Sequence, residues 1–364
     1  MKRRICVLVP LLFLAACGGS SKQAAAPVLA PANPVAVSKL AQGVDAAKSK
    51  EGRRQAIELL QKAVEADAQL WEGRYNLGVL LAEAGDLAAA EKQLAEAHRL
   101  APNAEDVVVA LGEVRRRLGD FDGAAEVLGA FVKANPQATL ARTALVTSLR
   151  EAGEIDKAIK EAQEALIRNA NDPYALSELA LAQLERGEID TAELLSKEAL
   201  KAEPPRAVAA RTAGLISLKR GDDAVAFRHF QRAGELDPDD TTARINIGVV
   251  LLRAGVYDRA ATELKAVVDA DPDDTDAAIA LAAALRGKAK RDGGAGFSES
   301  ERLLKDVLER EPKNISALFN LAVLYADYMK RPSEAEPLFK RFLSAAPDKH
   351  PARAEAERFL SAKK

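Results

Sequence analysis

Few residue types in this 364-residue chain could carry chemistry. There are three histidines, His98, His229 and His350, and two cysteines, Cys6 and Cys17. The histidines are far apart in sequence, and no His/Cys group has the spacing of a zinc site or a disulfide framework. No nucleophile is paired with a base in a recognisable catalytic pattern. The basic, glycine-rich stretch Gly287-Lys288-Ala289-Lys290-Arg291-Asp292-Gly293-Gly294-Ala295-Gly296 lacks the Gly-Lys-Ser/Thr ending of a phosphate-binding loop, so no nucleotide is expected there. Neither a catalytic residue, a metal nor any other cofactor is expected. One side chain stands out by its neighbours: Cys17, a potential sulfur nucleophile preceded by Leu14-Ala15-Ala16, small at 15 and 16.

The elements around Cys17 fit that chemistry. Lys2-Arg3-Arg4 is a basic start, and Ile5 to Leu14 is an almost unbroken apolar run. That run is too short to span a hydrocarbon core, which takes about 20 helical residues. It therefore reads as a signal peptide over 1–16. Leu14-Ala15-Ala16-Cys17 followed by Gly18-Gly19-Ser20-Ser21 resembles the lipobox of bacterial lipoproteins. The resemblance implies cleavage before Cys17 and acylation of its thiol. Each buried acyl CH2 contributes about 0.8 kcal/mol, so two or three chains hold stably to a leaflet. It also implies an outer-membrane, periplasm-facing address, because Gly18 stands where an inner-membrane retention Asp is often found. Residues 17–36, rich in Ala, Ser and Pro, read as a flexible tether.

Beyond the tether a 34-residue period sets in. Gly85, Gly119, Gly153, Gly187, Gly221 and Gly255 are each 34 residues from the last, and Ala90, Ala124, Ala158, Ala192, Ala226 and Ala260 keep the same phase. So do Pro102, Pro136, Pro204, Pro238 and Pro272, with Ala170 breaking the column. Each phased Gly suits a left-handed helix C-cap. Asp122, Asp156, Asp190 and Asp258, three residues later, are placed to cap a second helix. Gly78, Gly112, Ala180, Gly214 and Gly248 let paired helices approach closely, and Leu77, Leu111, Leu145, Leu179, Ile247 and Leu281 supply bulk. The Pro column closes the second helix. Such pairs cannot bury their own faces and must stack.

Asn76-Leu77-Gly78, Leu81, Gly85, Ala90, Leu94, Ala97 and Pro102 resemble the tetratricopeptide repeat family. The resemblance implies an all-α superhelical solenoid of about nine helix pairs over 37–349. The units are 37–70, 71–104, 105–138, 139–172, 173–206, 207–240, 241–274, 275–314 and 315–349. Unit eight carries about six extra residues around 287–297, read as a loop insertion. Residues 350–364, apolar at Ala352, Ala356, Phe359 and Leu360, read as a capping helix.

The charge balance, 52 basic against 54 acidic side chains for a net charge of −2, excludes a polycation made for nucleic acid. A protein-binding scaffold without enzymatic activity follows, tethered to the membrane by its N-terminal lipid. The lipoprotein resemblance extends it to assembly of an envelope complex of the motility, pilus or secretin type, as the chain also resembles gliding-motility lipoproteins or type IV pilus pilotins. The alternative is an adaptor for a peptidoglycan or polysaccharide enzyme, for which only Tyr75, Tyr174 and Phe319 offer sugar-stacking rings. In the tetratricopeptide fold the first helices line a concave groove. Asn76, Asn246 and Asn320 share the position where the family often uses an amide to bind an extended peptide backbone. Around Asn246 the same rule gathers Arg211, Leu215, Leu218, Lys219, Val249, Leu252 and Arg253, an apolar floor with three cations suited to an extended segment bearing carboxylates.

Overall fold

A computed structural model describes residues 32–361 apart from Lys50, Asp239, Ala295 and Lys349. The regular structure of the described residues is entirely helical, and they divide into two compact bodies, 32–187 and 188–361. The expected signal peptide, Cys17 and nearly all of the tether lie outside the described residues.

The first body contains α1 Pro34–Ala46, α2 Arg53–Ala66, α3 Trp71–Glu83, α4 Leu87–Leu100, α5 Glu105–Arg117, α6 Phe121–Ala134, α7 Thr139–Glu151, α8 Ile155–Arg168 and α9 Pro173–Arg186. Each helix packs on the next. α1 starts three residues before the expected unit boundary. Asn33 fixes that start: its Oδ1 accepts from Val35 N at 2.9 Å, its backbone N donates to Asp67 Oδ2 at 3.0 Å, and its Nδ2 donates to Ala66 O at 3.0 Å. Pro34 then supplies the preset φ of a first helical residue.

The second body contains α10 Ile189–Ala199, α11 Ala207–Arg220, α12 Asp223–Leu236, α13 Thr241–Arg253, α14 Tyr257–Ala270, α15 Thr275–Arg291, α16 Phe297–Arg310, α17 Ile315–Val323 with a π-helical end at Leu324–Tyr328, α18 Pro332–Ala345 and α19 Arg353–Ser361. α19 closes the body as the expected cap. Ala356 is fully buried, and Phe359 lies 4.8 Å from the ring of Phe339. Arg353 Nη1 donates to Leu343 O at 2.8 Å, in the last turn of α18, and to Ala346 O at 2.9 Å, just after it.

The six phased glycines all adopt left-handed φ between +70° and +95°. That turn is so tight that the second helix begins two residues later, which moves the cap. Asp86 and Asp120, directly after the glycines, accept from Ala89 N at 3.1 Å and Gly123 N at 3.0 Å. Asp122, Asp156, Asp190 and Asp258 are therefore not caps. They sit inside the first turns, where a carboxylate interacts with the helix dipole.

In the pairs α3–α4 and α11–α12 a glycine of the first helix faces one side chain of the second. A Cβ on Gly78 would stand 2.6 Å from Leu94 Cγ, and one on Gly214 would stand 2.4 Å from the Phe230 ring. In α7 and α8 the sizes are exchanged, with Val146 and Ala162 at the corresponding positions, both buried.

Two irregular units depart from the period by helical means. The residues around 287–297, expected as a loop, are mostly helix: α15 runs to Arg291 and α16 starts at Phe297. Ser300 replaces the phased Ala, and its buried hydroxyl donates to Ala282 O at 2.8 Å. In the last unit Asn320 and Ala335 are one residue further apart than Asn76 and Ala90. The π turn absorbs that residue, with Met329 N donating to Leu324 O at 2.9 Å, five residues back. Lys330 then takes the left-handed place of the glycine, at φ 57°.

Candidate functional site

Most of the expected groove residues lie on first helices of the second body. Arg211, Leu215 and Lys219 follow one another at four-residue spacing on α11, so they share a face. Asn246, Val249 and Arg253 form the matching stripe on α13. Leu215, Leu218 and Val249 are half-buried, and Leu215 and Leu218 pack on the cluster around Phe230. Leu252, also half-buried, packs on the cluster that includes Leu251 and Leu264. Asn246 makes no hydrogen bond among the described residues, so its amide can both donate and accept.

The three cations are not equivalent. Arg211 is bound by Asp240, whose other carboxylate oxygen caps α13 by accepting from Thr242 N at 2.9 Å. Arg253 Nε donates to Asp223 at 3.0 and 3.1 Å. Lys219 is exposed and has no carboxylate partner among the described residues. An incoming carboxylate would thus compete with Asp240 and Asp223 but meet Lys219 directly.

The other two amides are engaged. Asn76, in the first body, turns back on its own helix, donating to Glu72 O at 2.7 Å. Asn320 does the same to Ser316 O at 2.9 Å, while its Oδ1 accepts from Arg286 Nη1 at 3.2 Å. Phe319 packs at 6.1 Å from Phe339 and 5.2 Å from Phe342, within an aromatic cluster.

A polar ladder on the first helices of the first body was not anticipated. Arg116 binds Glu113 at 3.1 Å and also Glu151. Arg150 contacts Glu178 at 3.2 Å, Glu185 at 2.6 Å and Glu151 at 3.7 Å. Burial alone would pull both guanidinium pKa values down, but the carboxylates around each raise them above the ordinary value. Arg116, Arg150 and Arg286 occupy the same place in their repeats, a 34-residue phase that was visible in the sequence.

The histidines stand apart from one another, His98 on α4, His229 on α12 and His350 before α19. His350 Nδ1 accepts from Ala352 N at 3.2 Å. Among the described residues no three His, Cys, Asp or Glu side chains group as metal ligands.

Tetratricopeptide repeat models match residues 40–105, 109–175, 143–207 and 217–285, together more than half of the chain. The chain belongs to the tetratricopeptide repeat family. The solved structure of the APC/C hetero-tetramer Cut9-Hcn1 is similar over 85% of this chain and 60% of that one, with a TM-score of 0.60 and 14% identity. This repeat chain thus spans less than two thirds of that relative, and the likeness is one of fold. A tetratricopeptide repeat protein from Parabacteroides merdae is 17% identical, over 71% of this chain and 97% of that one, with a TM-score of 0.48. YrrB, a repeat protein described as having an unusual peptide-binding site, is 21% identical over 53% of this chain and 97% of that one, with a TM-score of 0.36. No curated protein matches the chain.

Proposed function

We propose that this repeat protein is a lipid-anchored scaffold of a bacterial cell envelope, facing the periplasm from the outer membrane. Tetratricopeptide repeats are protein-interaction modules, and the bodies described here are stacks of them. The α11 and α13 stripes carry the binding part of the reading. They combine half-buried Leu215 and Val249, the uncommitted amide of Asn246 and the unpaired ammonium of Lys219. An extended partner segment would satisfy all three through apolar contact, backbone hydrogen bonds and a carboxylate. The anchoring part rests on Leu14-Ala15-Ala16-Cys17, and the process served is assembly of an envelope complex of the motility, pilus or secretin kind.

Cross-linking intact envelopes and capturing the protein tests both parts. Wild type is expected in the acylated membrane fraction with protein partners attached. Cys17→Ala is expected as uncleaved precursor or mislocalised protein with an unchanged helical melt. Normal acylation of that variant would overturn the lipobox assignment, and capture of no partner from wild type would overturn the scaffold. Asn246→Ala with Lys219→Glu addresses the groove: partner recovery equal to wild type would move the binding surface elsewhere.

A further inference from the structure

The end of α15 carries four cations, and they fall into two sets. Lys288 and Arg291 are held by Asp258, at 3.5 and 2.6 Å. Arg286 and Lys290 have no carboxylate at ion-pair distance among the described residues. Both instead sit over the ring of Tyr328, with Arg286 Cζ 5.3 Å and Lys290 Nζ 5.9 Å from its centroid. Arg286 makes one hydrogen bond among the described residues, to Asn320 Oδ1, which leaves most of a five-donor fork unfilled.

The contrast with the first body is chemical. Arg116 and Arg150, at the same place in their repeats, are filled by glutamates. Arg286 is not: burial pulls its pKa below the ordinary guanidinium value, and the nearby Tyr328 ring with Asp327, Glu355 and Tyr257 offsets this only in part. A half-buried guanidinium without a counter-ion is costly, and its cost falls when a carboxylate arrives.

The two irregular units build the surroundings. Tyr328 ends the π turn and meets Phe297, the first residue of α16, edge-on at 5.8 Å. Both rings line a cavity of about 370 Å³ with Ala289, Lys290, Gly293, Gly294 and Asp327. Exposed Asp327 on the cavity wall and Glu355 act on Arg286 from beyond ion-pair distance, so neither fills its fork.

Building on the reading of this protein as a binder of extended segments, we propose that Arg286, Lys290 and Tyr328 form the receptor for an acidic segment of a partner protein. One glutamate or aspartate carboxylate takes the free side of the Arg286 fork, and a second, along the segment, pairs with Lys290. The two cations are one helical turn apart on one face, a spacing that suits two acidic side chains over a single terminal carboxylate. The Tyr328 and Phe297 rings receive the aliphatic stems.

The probe is an amide-capped peptide of alternating glutamate and alanine, followed by fluorescence anisotropy against the full mature protein at low salt. Its glutamine counterpart and a neutral peptide with a free C-terminus are the comparators. The glutamate peptide should bind and the glutamine peptide should not. Arg286→Gln combined with Lys290→Gln should weaken binding about tenfold. Lys313→Gln, at an exposed site between α16 and α17, should leave it unchanged. Arg286→Gln removes a half-buried unpaired charge, so its melt should not fall. Lys290→Glu, at an exposed site, serves as a second, fold-neutral variant. The proposal is overturned if the glutamate peptide fails to bind, if the variants bind it like wild type, or if the neutral free-carboxylate peptide binds equally well. Partner capture from cross-linked envelopes alongside any of these results would leave the scaffold reading standing and remove only this receptor.

Discussion

Gly248 and Leu264 occupy one site across the α13–α14 crossing: a Cβ on Gly248 would stand 2.5 Å from Leu264 Cγ. Leu264 is fully buried and cannot swing away. Gly248→Ala, although it improves helix propensity, should therefore destabilise the protein by about 1–3 kcal/mol through overpacking. Adding Leu264→Ala should recover part of that loss, so the double variant is less damaged than the sum of the single ones. Additive effects in denaturant melts would show that the two side chains do not share the space.

Asp240 does two jobs, capping α13 and holding Arg211, and two substitutions separate them. Asp240→Asn keeps a good cap and loses the charge, so it should cost less than about 1 kcal/mol, as for a partly exposed pair. Asp240→Ala loses both and should cost about 1–2 kcal/mol. The Asn variant also frees Arg211 beside Lys219 on the α11 stripe, so it should bind acidic partner segments more tightly than wild type. Equal melts for the two variants would show that the cap contributes nothing.

The sequence carried the period, the closing prolines and the left-handed glycines, because each is a backbone requirement that a residue type meets locally. Phe230, Phe339 and Tyr325 fall in apolar columns of the repeat, and all three are buried. The caps were misread for a geometric reason: a glycine at φ near +80° turns the chain at once, and Asp86 and Asp120 are the residues that meet the free amides. The π turn was written as one extra residue between Asn320 and Ala335. Reading it needed the further step that a helix can absorb one residue without breaking. Charge pairing was the least legible. Repeat position tells which face Arg211, Arg253 or Arg286 occupies, but not whether a carboxylate about 30 residues away reaches it.

His98 and His229 give the protein an acid-sensitive stability. Burial lowers both pKa values below the usual 6.5, with Arg115 adding to the effect at His98 and Arg228 at His229. The unfolded chain then binds more protons than the folded one between each folded value and 6.5. The stability is fully present above pH 6.5 and is lost as the pH falls below it towards the folded values. Thermal melts should therefore drop through this window, and His98→Gln should flatten part of the slope. A melt independent of pH between 7.5 and 5.5 would show that neither imidazole is protected from protonation.

Arg150 tests how much the polar ladder holds together. Its side chain is 15% exposed and contacts Glu178, itself only 12% exposed, as well as Glu185 and Glu151. Arg150→Leu places an apolar side chain where the next repeat has Leu184, so volume alone costs little. What it removes is the counter-charge of three carboxylates, and a half-buried glutamate left unpaired is the main penalty. The full cost of breaking a buried pair is about 3–5 kcal/mol, and solvent access at Glu185 should bring it to about 2 kcal/mol here. Glu178→Gln in the same background should restore part of that loss by removing the stranded charge. Raising the salt concentration should narrow the gap between the Leu variant and wild type, because ions screen the repulsion among Glu151, Glu178 and Glu185. Wild-type stability for Arg150→Leu, with no rescue by Glu178→Gln, would make the ladder a solvated surface and leave apolar stacking to hold the first body alone.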